Sequence, residues 1–180
     1  MEYRGIKINI VIYIIIVVLI VYFSGNFIIN KYNVQKPLLT EIESLENIEN
    51  VQLLENNDRT KLKIKLNRNA ELYDVYLNVK EIATEKIGED NFNIIIDNQE
   101  NDNLVNIYFK AHYAIFEGIA TNKFTEMNED IKEIAVKSDL KEYKLWIDSN
   151  NLYLKLADED SAFYHIIPRN SNNRGGENVG

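Results

Sequence analysis

From Ile8 to Ile29 the chain carries no charged residue over 22 positions, and within that stretch Ile10 to Phe23 holds neither charge nor amide. At about 1.5 Å of rise per residue, a helix of that length reaches roughly 33 Å, close to the hydrocarbon thickness of a bilayer. A buried helix of a soluble protein can share this composition, but it rarely sits at the extreme N-terminus ahead of an acidic, ordinary globular sequence. The stretch therefore reads as a transmembrane helix. No Ala-x-Ala pattern closes it, only Ser24 and Gly25 among Phe23, Asn26 and Phe27, so an uncleaved signal anchor is expected. Tyr13 and Tyr22 lie towards its two ends, where aromatic rings suit the membrane interface.

Arg4 and Lys7 precede the span and Lys31 and Lys36 follow it, a nearly balanced comparison. The chain from Pro37 onwards carries 16 basic and 27 acidic residues, a net −11 that an anionic cytoplasmic leaflet does not attract. These charges favour a cytoplasmic tail at 1–7, an anchor at 8–29 and an extracytoplasmic remainder. The formal charge of −8 argues against a partner that is nucleic acid. The absence of cysteine excludes disulfides, thiol nucleophiles and cysteine metal sites. Frequent Asn, Ile and Lys, with A/T-rich codons, point to a low-GC bacterial genome.

Residues 30–49 read as a neck and an amphipathic helix that begins at Pro37, with Leu38, Ile42, Leu45 and Ile48 on one face. Docking in cis is favoured, and a homo-oligomer through the 37–49 helix is the alternative. Residues 50–168 read as an α+β domain. Asn50–Leu54 and Arg59–Leu66 form a hairpin, with Leu62, Ile64 and Leu66 facing inwards and Lys61, Lys63 and Lys65 facing water, as at a protected sheet edge.

A helix is expected from Ala70 to Ile87, capped by Asn69 and ended by Gly88, followed by a more central strand at Phe92–Ile96. The next helix, from Asp102 or Asn103 to Ala120, has a wide arc: Leu104, Tyr108, Ala111, Ile115 and Ile119 beside Val105, Phe109, His112 and Phe116. Such an arc is expected to be buried on more than one side, with Gly118 permitting a close crossing. A third helix runs from Phe124 to about Ser138. Strands follow at Tyr143–Ile147, Leu152–Leu156 and Ala162–Ile167, the first two joined by a tight turn at 148–151. Residues 169–180 lack apolar clusters and are expected to be disordered. The fold class is α+β: an N-terminal transmembrane helix, then a small domain whose mainly antiparallel sheet is covered on one face by about three helices.

Chemistry is sparse. His112 and His165 both sit among apolar neighbours without metal-ligand spacing, which favours packed histidines over ligands or bases. Asp97 and Asp148 each end an apolar strand run and could converge for glycoside or divalent-metal chemistry, but both precede turn residues and read as caps. Asp158, Glu159 and Asp160 resemble a calcium loop in charge alone. No nucleophile elbow or phosphate loop exists, so no catalytic residue, metal ligand or cofactor is assigned. Tyrosine and tryptophan are favoured at interfaces, and Trp146 with Tyr153 is the candidate partner surface. The favoured reading is a membrane-anchored extracytoplasmic accessory or scaffold protein that contacts the lipid bilayer through 8–29 and binds another membrane or envelope protein. The alternatives are an anchored hydrolase of cell-wall or extracellular polymer using the strand-end carboxylates, and an extracytoplasmic ligand-binding domain.

Overall fold

The computed structural model describes residues 2–3, 6–7, 12–22, 31–55, 59–98 and 101–169. Glu2–Tyr3 (β1) and Ile6–Lys7 (β2) pair antiparallel, and residues 12–22 form a helix (α1). The rest of the expected span, 8–11 and 23–29, lies outside the described residues. Among the described residues no helix is long and apolar enough to cross a membrane.

A π-helical turn at Lys31–Gln35 runs into α2, Lys36–Glu43, with Pro37 in its first turn. This helix is shorter than the 37–49 expected, because Ile48 and Glu49 already belong to a strand. Its apolar face is used within the domain, since Leu38 and Ile42 are fully buried in the first core.

Strands β3 (Ile48–Glu55) and β4 (Thr60–Leu66) form the expected hairpin; residues 56–58 of its turn lie outside the described residues. Helix α3 (Leu72–Ile87) then crosses to β5 (Phe92–Ile96), which pairs parallel to β4. Two expectations change here. β4 is the middle strand of a three-stranded sheet rather than an edge, and β5 is an edge rather than central. β4 still alternates because only one of its faces is covered, with Leu62, Ile64 and Leu66 buried. The α3 start also shifts: Glu71 occupies the cap without a side-chain hydrogen bond to the helix N–H groups, while Asn69 donates its backbone N–H to the Asn67 side chain. Gly88 ends α3 at φ 87°, the left-handed region where a Cβ is strained.

Helices α4 (Asp102–Thr121) and α5 (Phe124–Lys137) form a hairpin through Asn122, which sits at φ 56°. The Asn101 side chain caps α4 by accepting from the Leu104 N–H at 3.1 Å, while its amide donates to Asp158 Oδ2 at 2.9 Å. Gly118 is buried at the crossing, where a Cβ would lie 2.6 Å from that of Met127. Strands β6 (Glu142–Ile147), β7 (Asn151–Ala157) and β8 (Ala162–Pro168) make a second, antiparallel sheet with β7 central.

The architecture is thus α+β, with two three-stranded sheets in place of the single sheet expected. The second sheet is also covered on both faces rather than one. Leu152, Leu154 and Leu156 of β7 pack into the α4–α5 core, while Tyr153, with Tyr164 of β8, enters the core beneath α3. Helix α3 therefore joins the sheets. Asn98 completes the joint by imitating a strand: its amide donates to the Tyr164 carbonyl at 2.9 Å, and its carbonyl accepts from the Tyr164 N–H at 2.7 Å. Arg169, expected in the tail, is held: its N–H donates to the Asn150 carbonyl at 2.8 Å and its guanidinium lies 4.6 Å from the Phe124 ring centroid. Residues 170–180 lie outside the described residues.

Candidate functional site

The two strand-end aspartates go to different sheets and different tasks. Asp97 follows β5 and pairs with Lys63 at 2.9 Å. Asp148 opens the β6–β7 turn, its Oδ1 accepting from the N–H groups of Asn150 and Asn151, both at 2.7 Å. Its Oδ2 accepts from the Tyr153 hydroxyl at 2.8 Å. Burial opposes ionisation of Asp148, but these donors outweigh it and hold the carboxyl below its ordinary value. A carboxylate spent on three donors is a turn constraint. Asp158 is similarly engaged by the N–H groups of Asp160 and Ser161.

The histidines do meet. His112 of α4 and His165 of β8 both pack on Tyr108, with ring centroids 5.9 and 4.8 Å from its ring, and Phe116 lies 4.4 Å from His112. Burial lowers the pKa of His165, and the charge on His112 adds to that effect. His112 Nδ1 is buried without a hydrogen-bond partner. The ring contacts of the two histidines are all aromatic: Tyr108, Tyr113 and Phe116 at His112, and Tyr108 and Phe163 at His165. Among the described residues no group of three or more His, Asp or Glu side chains could hold a metal ion. A shallow depression of about 430 Å³ runs along the outside of α3 past Leu77, Lys80 and Glu81, and none of Asp97, Asp148, His112 and His165 lines it.

The candidate partner surface divides. Trp146 of β6 is 56% exposed and leans on Tyr73 of α3 at 5.1 Å between ring centroids. Tyr153, its cross-strand neighbour, is 2% exposed and packs between Tyr73 and Tyr76. Tyr153 supports the surface from below, and Trp146 alone presents it. The lysines of β4 remain half-exposed: Lys63 is tied to Asp97 and Lys65 to Glu49 at 2.9 Å.

A second aromatic surface was not foreseen. On α4, Leu104, Ala111 and Ile115 of the first stripe are buried, whereas Phe109 and Phe116 of the second are 59% and 38% exposed and Tyr113, outside both, is 80% exposed. The second sheet and α5 cover α4 on two sides, as the width of its apolar arc implied, and Phe109, Tyr113 and Phe116 lie beyond the reach of both. The available signal was spacing: Asn106, Phe109, Tyr113, Phe116 and Ala120 recur at alternating intervals of three and four, offset from the core set. Comparison with protein-family models, curated proteins and solved structures gives no match.

Proposed function

We propose that this chain is a single-pass membrane protein whose α+β body stands outside the cytoplasmic membrane and binds another membrane or envelope protein without catalysing a reaction. Residues 8–29 are the anchor and residues 1–7 the cytoplasmic tail. One observation carries the reading. Every residue of α1 from Ile12 to Tyr22 is a large apolar or tyrosine side chain, and exposures run from 46% at Ile16 to 70% at Tyr13. Among the described residues no element of the body covers a side of this helix. A surface of that size is untenable in water, and transferring its exposed half to hydrocarbon is worth roughly 10 kcal/mol. A bilayer meets that requirement.

Trp146 supports the binding half of the proposal, being a large exposed aromatic on a strand braced by the packed Tyr73–Tyr153 pair. Anchoring raises local concentration and fixes the direction of approach, so a modest interface suffices. The test is carbonate extraction of native membranes with protease treatment of wall-stripped cells, followed by crosslinking of the wild type and Trp146→Ala. The chain is expected to stay with the membrane, its body to be digested from outside, and one crosslinked partner to be lost in the variant. Recovery in the carbonate wash removes the anchor; protection of the body reverses the orientation; an unchanged partner set removes Trp146.

A further inference from the structure

The outer stripe of α4 has the construction of a helix-pairing seam. Asn106, Phe109, Tyr113, Phe116 and Ala120 follow 3-4-3-4 spacing, which keeps them in one line along four turns, and all five are exposed. The helix beneath is held by its opposite side, where Leu104, Ala111 and Ile115 are fully buried, so the seam is presented by a rigid element. Lys110 and Glu117 flank it on the same side. They are seven residues apart, about 10 Å along the axis, too far to pair with each other. Neither forms an ion pair among the described residues, and Lys123, the cation nearest Glu117 in sequence, is bound to Glu126 at 2.8 Å.

We infer that this seam docks a second copy of the same chain, antiparallel, with a two-fold axis near residues 113–114. Reversal about that axis sets Lys110 of each copy against Glu117 of the other, giving two ion pairs. It also sets the two Tyr113 rings against each other at the centre and places Phe109 of each copy between Phe116 and Ala120 of the other. A parallel copy would bring the Lys110 and Glu117 flank against Val105 and His112 and give up both pairs. A lipid surface is disfavoured because residues 102–137 hold six acidic and four basic side chains, a poor match for anionic headgroups.

The area sets the strength. At roughly 200 Å² per aromatic side chain, the exposed parts of Phe109, Tyr113 and Phe116 amount to about 350 Å² per copy. The pair buries about 700 Å², short of the ~1,200 Å² of a stable soluble complex. The dimer therefore depends on confinement in the membrane, and to that extent rests on the anchor reading.

The chain contains no cysteine, so single-cysteine variants of the full-length protein report geometry cleanly. In phosphatidylcholine vesicles under mild oxidation, Tyr113→Cys, beside the axis, is expected to form disulfide dimer at least tenfold more than Asn106→Cys, whose two copies lie about 22 Å apart. Because Tyr113→Cys removes a seam ring, a second pair keeps all three. Vesicles holding Lys110→Cys and Glu117→Cys chains together should yield the mixed dimer, and vesicles holding either alone several-fold less. Equal dimer from Asn106→Cys and Tyr113→Cys means parallel copies and overturns the inference; absence of the mixed dimer overturns self-docking. Carbonate extraction of the same vesicles reads the anchor separately. If the chain is washed off, the anchor reading falls, and the same crosslinks at millimolar protein then decide the seam, their absence overturning it.

Discussion

Lys155 is 3% exposed on the central strand of the second sheet, and its ammonium donates to Glu142 Oε1 at 3.0 Å. Glu142 is 29% exposed and also lies 3.4 Å from Lys144, which has a further partner in Glu71. Burial opposes ionisation of Glu142, yet the hydrogen bonds and charge of Lys155, reinforced by Lys144, prevail and keep its carboxyl below the ordinary value. Removing the carboxylate charge with Glu142→Gln strands a buried ammonium. Such losses cost about 3–5 kcal/mol, and the partial exposure of Glu142, which lets water reach the gap, places this one near the lower figure. Lys155→Met deletes the buried charge instead, fills similar volume and should cost no more than about 1 kcal/mol. In the Lys155→Met background Glu142→Gln should then cost under about 1 kcal/mol, a coupling of about 2 kcal/mol. The assay is urea unfolding of the full chain in detergent, followed by circular dichroism. Because the folded carboxyl titrates lower than the unfolded one, its contribution is complete above the ordinary glutamate value and is lost as pH falls through the lowered one. Glu142→Gln should abolish that acid loss and Lys155→Met should shrink it. A Lys155→Met variant less stable than Glu142→Gln, or a coupling near zero, refutes the reasoning.

Gly118→Ala places a Cβ 2.6 Å from Met127 Cβ and 2.7 Å from its sulfur, so overpacking of about 1–3 kcal/mol should outweigh a helix-propensity gain of at most about 1, seen as a lowered urea midpoint. Asn98→Ala removes both hydrogen bonds to the Tyr164 backbone and should cost about 2 kcal/mol, with faster amide exchange at Tyr164; unchanged exchange there would mean that Asn98 does not join the sheets. Burial lowers the His165 pKa in the folded state, so stability should be complete above the unfolded histidine value and decline as pH falls through the lowered one; His165→Phe should flatten the profile between about pH 7 and 5. An unchanged slope would assign the acid sensitivity elsewhere.

Local chemistry made much of the fold legible. Alternation in 60–66, the residues 148–151 between two apolar runs, the glycine after Ile87 and the helical spacing from Leu104 and from Phe124 each act over a few residues, and each element formed close to where it was read. Gly118 was also readable, because a lone glycine within an apolar helix signals close approach. Asp148 was legible as a turn residue for the same reason: its acceptor finds donors two and three positions on.

What a residue faces across the fold depends on partners far along the chain, and that only the tertiary structure decided. The period of a strand says which residues share a face, not whether a second layer will cover the other one; α3 covers the Tyr153 and Lys155 face of β7, so Tyr153 is buried although its spacing matches that of exposed Trp146. A wide apolar arc likewise records how much surface can be covered, not how much is. The sequence by itself determined the elements, the glycine that ends α3 and the uncharged N-terminal stretch, through interactions a few residues long. The division into two sheets, the pairing of buried Lys155 with half-buried Glu142 and the open seam on α4 came from long-range packing, because burial is a property of layers and no short window contains both sides of one.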